Sequence, residues 1–201
     1  MGLVDAIRQA LGIQAETDAT RDADLEDLFG MSTAYVTMAA DLDYEPAGEA
    51  ALCFGDVDST DFADAVEEVR AILDAGEAET GTVAAFHEDD YGYRWVVLRD
   101  ADDFEDLVTS VHFAADTLIE AGYGSRLLAA VFAFEGKKRV YWIYSFRRGA
   151  YYPFVPAGEN ERDNRTEFKL RSVLDGELDV ESDEAYWYPL WPDETGQHPW
   201  E

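Results

Sequence analysis

Two apolar runs, Leu127 to Phe134 and Val140 to Phe146, are joined through the short polar stretch Glu135-Gly136-Lys137-Lys138. Both runs are apolar at alternate and at intervening positions. That pattern predicts strands buried on both faces, paired as an antiparallel hairpin inside a sheet. Ala150 to Val155 follows and reads as an edge strand, because Pro153 has no N–H to give to a ladder. Such an edge could also carry a homodimer contact. Earlier in the chain, Ala50 to Phe54 reads as a buried strand, and Thr82 to Phe86 and Tyr93 to Leu98 as a pair turning through His87-Glu88-Asp89-Asp90-Tyr91-Gly92.

Helices separate these groups. Ser59-Thr60-Asp61 offers caps for a helix whose apolar face is Phe62, Ala65, Val66, Val69, Ile72 and Leu73, with Gly76 as its stop. Asp102 or Asp103 caps a second, with Phe104, Leu107, Val108, Val111, Ala114, Ala115 and Leu118 on its inner side and Gly122 at its end. Leu25 to Leu42 is helical but interrupted near Gly30-Met31-Ser32. Asn164, with Glu167 three residues on, forms a capping pattern for a helix reaching about Leu174. Runs of adjacent strands imply antiparallel pairing. The expected class is α+β, a mostly antiparallel sheet with helices packed on it. Residues 1–24 read as a short helix (2–11, with Leu3, Val4, Ile7 and Leu11 on one side) and a polar linker. Residues 25–201 read as one domain, divisible into sub-units 25–101 and 102–176, with an irregular aromatic tail from Ala185 to Trp200 lying over the body.

The 201 residues carry 44 acidic and 15 basic side chains, a formal charge of −29, with only 3 Lys against 12 Arg. Hydrophobic residues at 47% exclude a disordered acidic chain. Acid excess with few lysines is the composition of a halophilic protein, kept hydrated in molar salt. The same field repels phosphate, so nucleic acid is not an expected partner. The chain shows no signal-peptide pattern and no long apolar run, so the expected location is cytoplasmic, with recruitment to the inner face of the membrane through a partner or peripheral contact by the N-terminal helix. Cys53 lies in the run Ala50-Ala51-Leu52-Cys53-Phe54 and reads as a buried thiol.

Few residues offer chemistry. His87-Glu88-Asp89-Asp90 is the densest set of metal-ligand types, but it lacks calcium-loop spacing and no metal is expected. No nucleophile motif or phosphate-cradling glycine loop is present, and no catalytic residue or cofactor is assigned. The alternative is an enzyme of unknown reaction, using His112 or the His87 loop beside Arg94. The stronger feature is charge placement. Ten of the 15 basic residues, against five acids, lie between Arg126 and Arg171. Within that stretch, Tyr144-Ser145-Phe146-Arg147-Arg148-Gly149-Ala150-Tyr151-Tyr152-Pro153-Phe154 embeds two arginines in aromatics. Arg162, Arg165 and Lys169 share a face of the last helix at i, i+3 and i+7. Arginine with tyrosine is the composition of a protein-recognition hot spot. The candidate partner-binding residues are Arg147, Arg148, Tyr151, Tyr152, Phe154, Arg162, Arg165 and Lys169. The competing reading is that these arginines bridge the chain's own acids while the rings fill the core.

Several blocks resemble one family. They are Met1-Gly2-Leu3-Val4-Asp5-Ala6, Leu25-Glu26-Asp27-Leu28-Phe29, Asp90-Tyr91-Gly92-Tyr93-Arg94-Trp95, Ala121-Gly122-Tyr123-Gly124, Arg148-Gly149-Ala150-Tyr151-Tyr152-Pro153-Phe154, Arg162-Asp163-Asn164 and Trp187-Tyr188-Pro189-Leu190-Trp191. In this order they resemble the PspA-associated protein PspAB family. The resemblance implies the company of phage-shock, membrane-stress systems: PspA-like coiled-coil proteins and HtpX-type membrane proteases. It also implies a fold similar to the YbjN and type III secretion chaperone group. It carries no catalytic residues. The expectation is a non-enzymatic adaptor or chaperone-like accessory protein that binds a protein partner through an Arg/aromatic surface.

Overall fold

A computed structural model describes residues 23–158, 160–191 and 198–200. The helix expected at 2–11 and nearly all of the 12–24 linker lie outside the described residues. Leu25–Gly30 forms a 3-10 turn, with the Asp24 carboxylate accepting the Glu26 N–H at 3.1 Å. It passes into helix α1 (Met31–Leu42) at the interruption the sequence marks. Strand β1 (Glu45–Gly55), helix α2 (Thr60–Thr80), strands β2 (Val83–Glu88) and β3 (Tyr93–Arg99), and helix α3 (Phe104–Glu120) follow. Strands β4 (Leu127–Glu135), β5 (Val140–Ser145) and β6 (Ala150–Phe154), a small ladder of β7 (Pro156–Gly158) and β8 (Glu161–Arg162), and helix α4 (Asn164–Val173) complete the body.

The fold is α+β: six strands in the order β2-β3-β1-β4-β5-β6, every neighbouring pair antiparallel, with four helices packed on them. β1 sits in the middle because Ala50 to Phe54 is apolar on both faces and each of the five side chains is fully buried. The β3–α3–β4 connection therefore crosses over β1 and sets its apolar stripe, from Phe104 to Leu118, on the sheet. On the same face lie Phe132, Phe134, Trp142 and Tyr144, whose burial contributes about 1.5–3 kcal/mol each. The opposite face, with Cys53, Trp95, Val131, Ile143 and Tyr152, takes Trp187 and Trp191 of the irregular tail. Burial, with the Asp89 carboxylate nearby, pushes the Cys53 thiol well up, as an inert core cysteine requires.

Three boundaries differ from the sequence reading, each for a local reason. β1 begins at Glu45, ahead of Ala50, because Gly48 (φ 70°) bulges the strand. A Cβ at Gly48 would sit 2.7 Å from the Asp100 carbonyl oxygen. α2 runs through Gly76, where the helix formers Glu77, Ala78 and Glu79 outweigh a cost of about 1 kcal/mol, and stops at Gly81 in the left-handed region (φ 82°). Asn164 is the first helical residue of α4. Its cap is Asp163, whose carboxylate accepts the Thr166 N–H at 3.1 Å, and Glu167 turns inward.

The edge expected at Ala150 to Val155 is not open. The Tyr151 N–H donates to Asp179 O (2.7 Å), the Glu181 N–H to Tyr151 O (2.8 Å), and the Val155 N–H to the Glu167 carboxylate (2.8 Å). The chain's own 178–181 segment and α4 occupy the edge on which a homodimer contact was expected.

His198 reports on the tail. It packs against Tyr141 and Trp200, with ring centroids at 5.3 and 4.9 Å. Burial first, then the Arg139 charge, lowers its pKa to about 4. The unfolded chain binds that proton near pH 6.5. The stability gained by keeping the ring neutral is therefore complete above about pH 6.5 and lost as the pH falls towards about 4. Thermal melts between pH 7 and 4 should show this acid slope, and His198→Phe should remove its upper part, leaving the carboxylate titrations below.

Candidate functional site

The Arg/aromatic block folds into a junction that ties the 3-10 turn at Leu25–Gly30 and the 179–191 segment to the sheet. Tyr144 and Tyr151 face the helical side. The Tyr144 hydroxyl donates to Asp24 O (3.1 Å) and the Tyr151 hydroxyl to Leu28 O (3.0 Å), so two rings of β5 and β6 hold the 3-10 turn. Burial pushes the Tyr151 hydroxyl well up, keeping it a neutral donor. Tyr152 and Phe154 face the other way, where Trp191 meets Phe154 edge-on at 5.1 Å. All three rings of the 151–154 block are buried.

The arginines divide. Arg148 Nε donates to Glu181 at 2.6 Å, with side chains 10% and 7% exposed, and its guanidinium lies 3.8 Å over the Tyr186 ring. Arg162 lies in β8, not on α4. It donates to Glu167 (3.0 Å), Trp187 O (2.5 Å) and Pro153 O (3.3 Å), fastening the tail to β6. Arg147 turns to the Gly124–Arg126 turn, reaching Ser125 O at 3.1 Å. Lys138 pairs with Asp163 at 2.6 Å, and this contact, with the Thr166 hydroxyl, holds the Asp163 carboxyl down at about 2. Arg139 joins Glu49 and Glu135. The basic stretch is thus dispersed in space.

Arg165 and Lys169 remain exposed on α4 and have no carboxylate partner among the described residues. Phe168, 42% exposed, stands between them with its ring 6.1 Å from Trp187. Arg171, 3.8 Å from Glu184, borders the same surface. Sequence reasoning missed Phe168, although its place between two unpartnered cations was the available signal. It also missed Glu167, the buried acid that organises Arg162. A carboxylate three residues into a helix reads as a cap.

Of the groups named for an enzymatic site, His87 and Arg94 lie on opposite faces of the sheet. His87 pairs in register with Trp95, placing it on the tail side of the sheet. Arg94 pairs with Phe54 on the helical side and holds Asp56 at 2.5 Å. His112 lies on α3 against Phe29 (4.7 Å), with Glu26 at 3.5 Å. The Asp89 carboxylate accepts the Tyr91 and Tyr93 N–H groups and Trp95 Nε1, each at 2.9 Å, and so builds the turn. No group of three or more His, Cys, Asp or Glu suited to a metal occurs among the described residues. A cavity of about 460 Å³ opens beside the N-terminus of α3, between Tyr35 and Asp100. Two of its carboxylates serve the fold. Asp100 accepts from the Asp102 and Asp103 N–H groups and the Thr82 hydroxyl, and Asp103 caps α3.

A family model described as PspA associated protein B matches residues 1–200. The chain belongs to that family. No curated protein and no solved structure gave a significant match. Among the described residues no helix is long and apolar enough to cross a membrane.

Proposed function

We propose that this member of the PspA associated protein B family is a non-enzymatic, chaperone-like adaptor of a PspA-type membrane-stress response, and that it binds its protein partner through the outer face of α4. The observation that carries this reading is Phe168 exposed between Arg165 and Lys169, on a protein of charge −29. An exposed ring flanked by unpaired cations suits a partner surface that is both acidic and apolar, such as a PspA-like coiled coil or the cytoplasmic part of an HtpX-type protease. Arg147 extends the candidate set at a second place. Arg162 supports the surface from beneath through Glu167, while Arg148 is tied to Glu181 and Tyr151, Tyr152 and Phe154 are buried in the body. Molar salt screens the rim charges, so the desolvated ring should carry much of the affinity.

The test is an affinity capture from native extract in molar KCl, read by mass spectrometry. It compares wild type with Arg165→Glu/Lys169→Glu and with Phe168→Ala. All three positions are exposed, and the variants should melt within about 1 kcal/mol of wild type. A PspA-like protein or membrane protease captured by wild type and lost from both variants is the expected result. Equal capture by folded variants would remove α4 from the assignment.

A further inference from the structure

The sheet has two edges, and among the described residues only one is closed. β6 is covered by the 178–181 segment and by Glu167. β2, at the other end, continues in unbroken register with β3 from Val83↔Arg99 to Glu88↔Arg94. The Asp89 N–H donates to Tyr93 O (2.9 Å) on the same ladder. Hydrogen-bonded pairs alternate along an antiparallel ladder. Residues 83, 85 and 87 therefore exchange bonds with β3, and Ala84, Phe86 and Glu88 turn their N–H and C=O groups outward. Those groups have no backbone partner among the described residues.

β2 lacks the features that protect an edge. It has no proline, no lysine and no bulge. Val83 is 49% exposed and Ala85 is also exposed, so a chain laid along the edge would find apolar contact. One rim of this edge is acidic. The Arg70 guanidinium lies 4.0 Å over the Phe86 ring, which fixes the side of α2 that borders β2. Glu67, Asp74 and Glu77 fall on that side at helical spacing from Arg70, and all three are exposed. Arg70 is itself engaged with Glu67 at 3.5 Å. Glu88 and Asp90 stand exposed at the end of the strand and in its turn.

We propose that β2 is a docking edge for an extended, basic segment of a partner protein, which adds to the sheet as a seventh strand. Main-chain bonds to Ala84, Phe86 and Glu88 supply the register. Alternate lysines or arginines meet the carboxylates of α2, and small apolar residues meet Val83 and Ala85. A second copy of this chain would bring the same acidic rim against itself and is disfavoured. Because β2 and α4 border opposite edges of the sheet, one molecule could hold two partners at once. The β2 inference does not depend on the α4 reading.

The test uses the full chain and two synthetic peptides, one alternating valine with lysine and one alternating valine with glutamate. Amide hydrogen exchange at Ala84, Phe86 and Glu88 is the readout. The lysine peptide should slow these amides at least about tenfold, as main-chain strand addition requires, and the glutamate peptide should leave them unchanged. Ala84→Pro removes an outward N–H and should abolish the protection. Should that variant not fold, Glu67→Lys/Asp74→Lys/Glu77→Lys changes exposed helix positions only and should weaken the lysine peptide about tenfold or more. Arg165→Glu/Lys169→Glu should leave peptide binding intact, which separates failure here from failure at α4. Peptide binding without protection of these amides would overturn the proposal, as would no binding at all. Protection that grows with protein concentration without peptide would assign the edge to a second copy and also overturn it.

Discussion

Glu167→Ala is expected to cost about 3–5 kcal/mol of folding stability, read as a fall in the urea midpoint, with the Trp187 environment changing in the same transition. Glu167 is 1% exposed, and its Oε1 accepts both the Val155 N–H at 2.8 Å and Arg162 Nε at 3.0 Å. Without the carboxylate, a guanidinium packed 5.1 Å from the Phe154 ring loses its counter-charge, and a backbone donor at the end of β6 loses its acceptor. Arg162 also holds Trp187 O and Pro153 O, so the loss spreads to the tail. Burial raises the Glu167 carboxyl above its ordinary value in spite of the Val155 N–H and Arg162. Desolvation therefore outweighs the compensation, and the pair contributes position more than net stability. Glu167→Leu combined with Arg162→Met should accordingly recover much of what the single change loses. A Glu167→Ala protein within about 1 kcal/mol of wild type would show that the tail is held by its tryptophans alone.

The fold class was readable because the strands carry their own evidence. Leu127 to Phe134 and Val140 to Phe146 are apolar on both faces, and Phe104 to Leu118 repeats at helical spacing. The place of β1 between β3 and β4 was not readable. It depends on which antiparallel neighbour the buried strand selects, and Gly48 disguised its first half by bulging against Asp100. The candidate site was harder for a different reason. Guanidinium groups over rings, beside carboxylates, are the chemistry of a recognition surface and equally of an internal tie. Arg148 and Arg147 are adjacent in sequence with the same aromatic neighbours. Only Glu181, 33 residues away, decides that one is locked in a carboxylate pair while the other reaches a backbone carbonyl. Lys169 and Arg165 stayed exposed because α4 already spends its inward positions on Glu167 and Leu170.

Arg148→Glu should destabilise the protein by at least about 4 kcal/mol, while Arg147→Glu should change stability by less than about 1 kcal/mol. At position 148 the substitution places a second carboxylate against Glu181, 7% exposed, where a guanidinium 2.6 Å away had neutralised it. Two buried carboxylates cannot both stay ionised, so one must take up a proton or the 178–181 segment must leave β6. Leaving opens the Tyr151–Asp179 and Glu181–Tyr151 backbone bonds and the Arg148 contact with the Tyr186 ring together. At position 147 the lost bond is to Ser125 O, an acceptor on an exposed turn that water can satisfy. A double reversal at 147 and 148 would therefore confound loss of binding with loss of the β6 edge, and Arg147→Glu alone tests recognition there. Side-by-side urea melts decide the matter. Equal midpoints for the two single variants would mean that the Arg148–Glu181 pair is dispensable, and the strap would then rest on its backbone bonds.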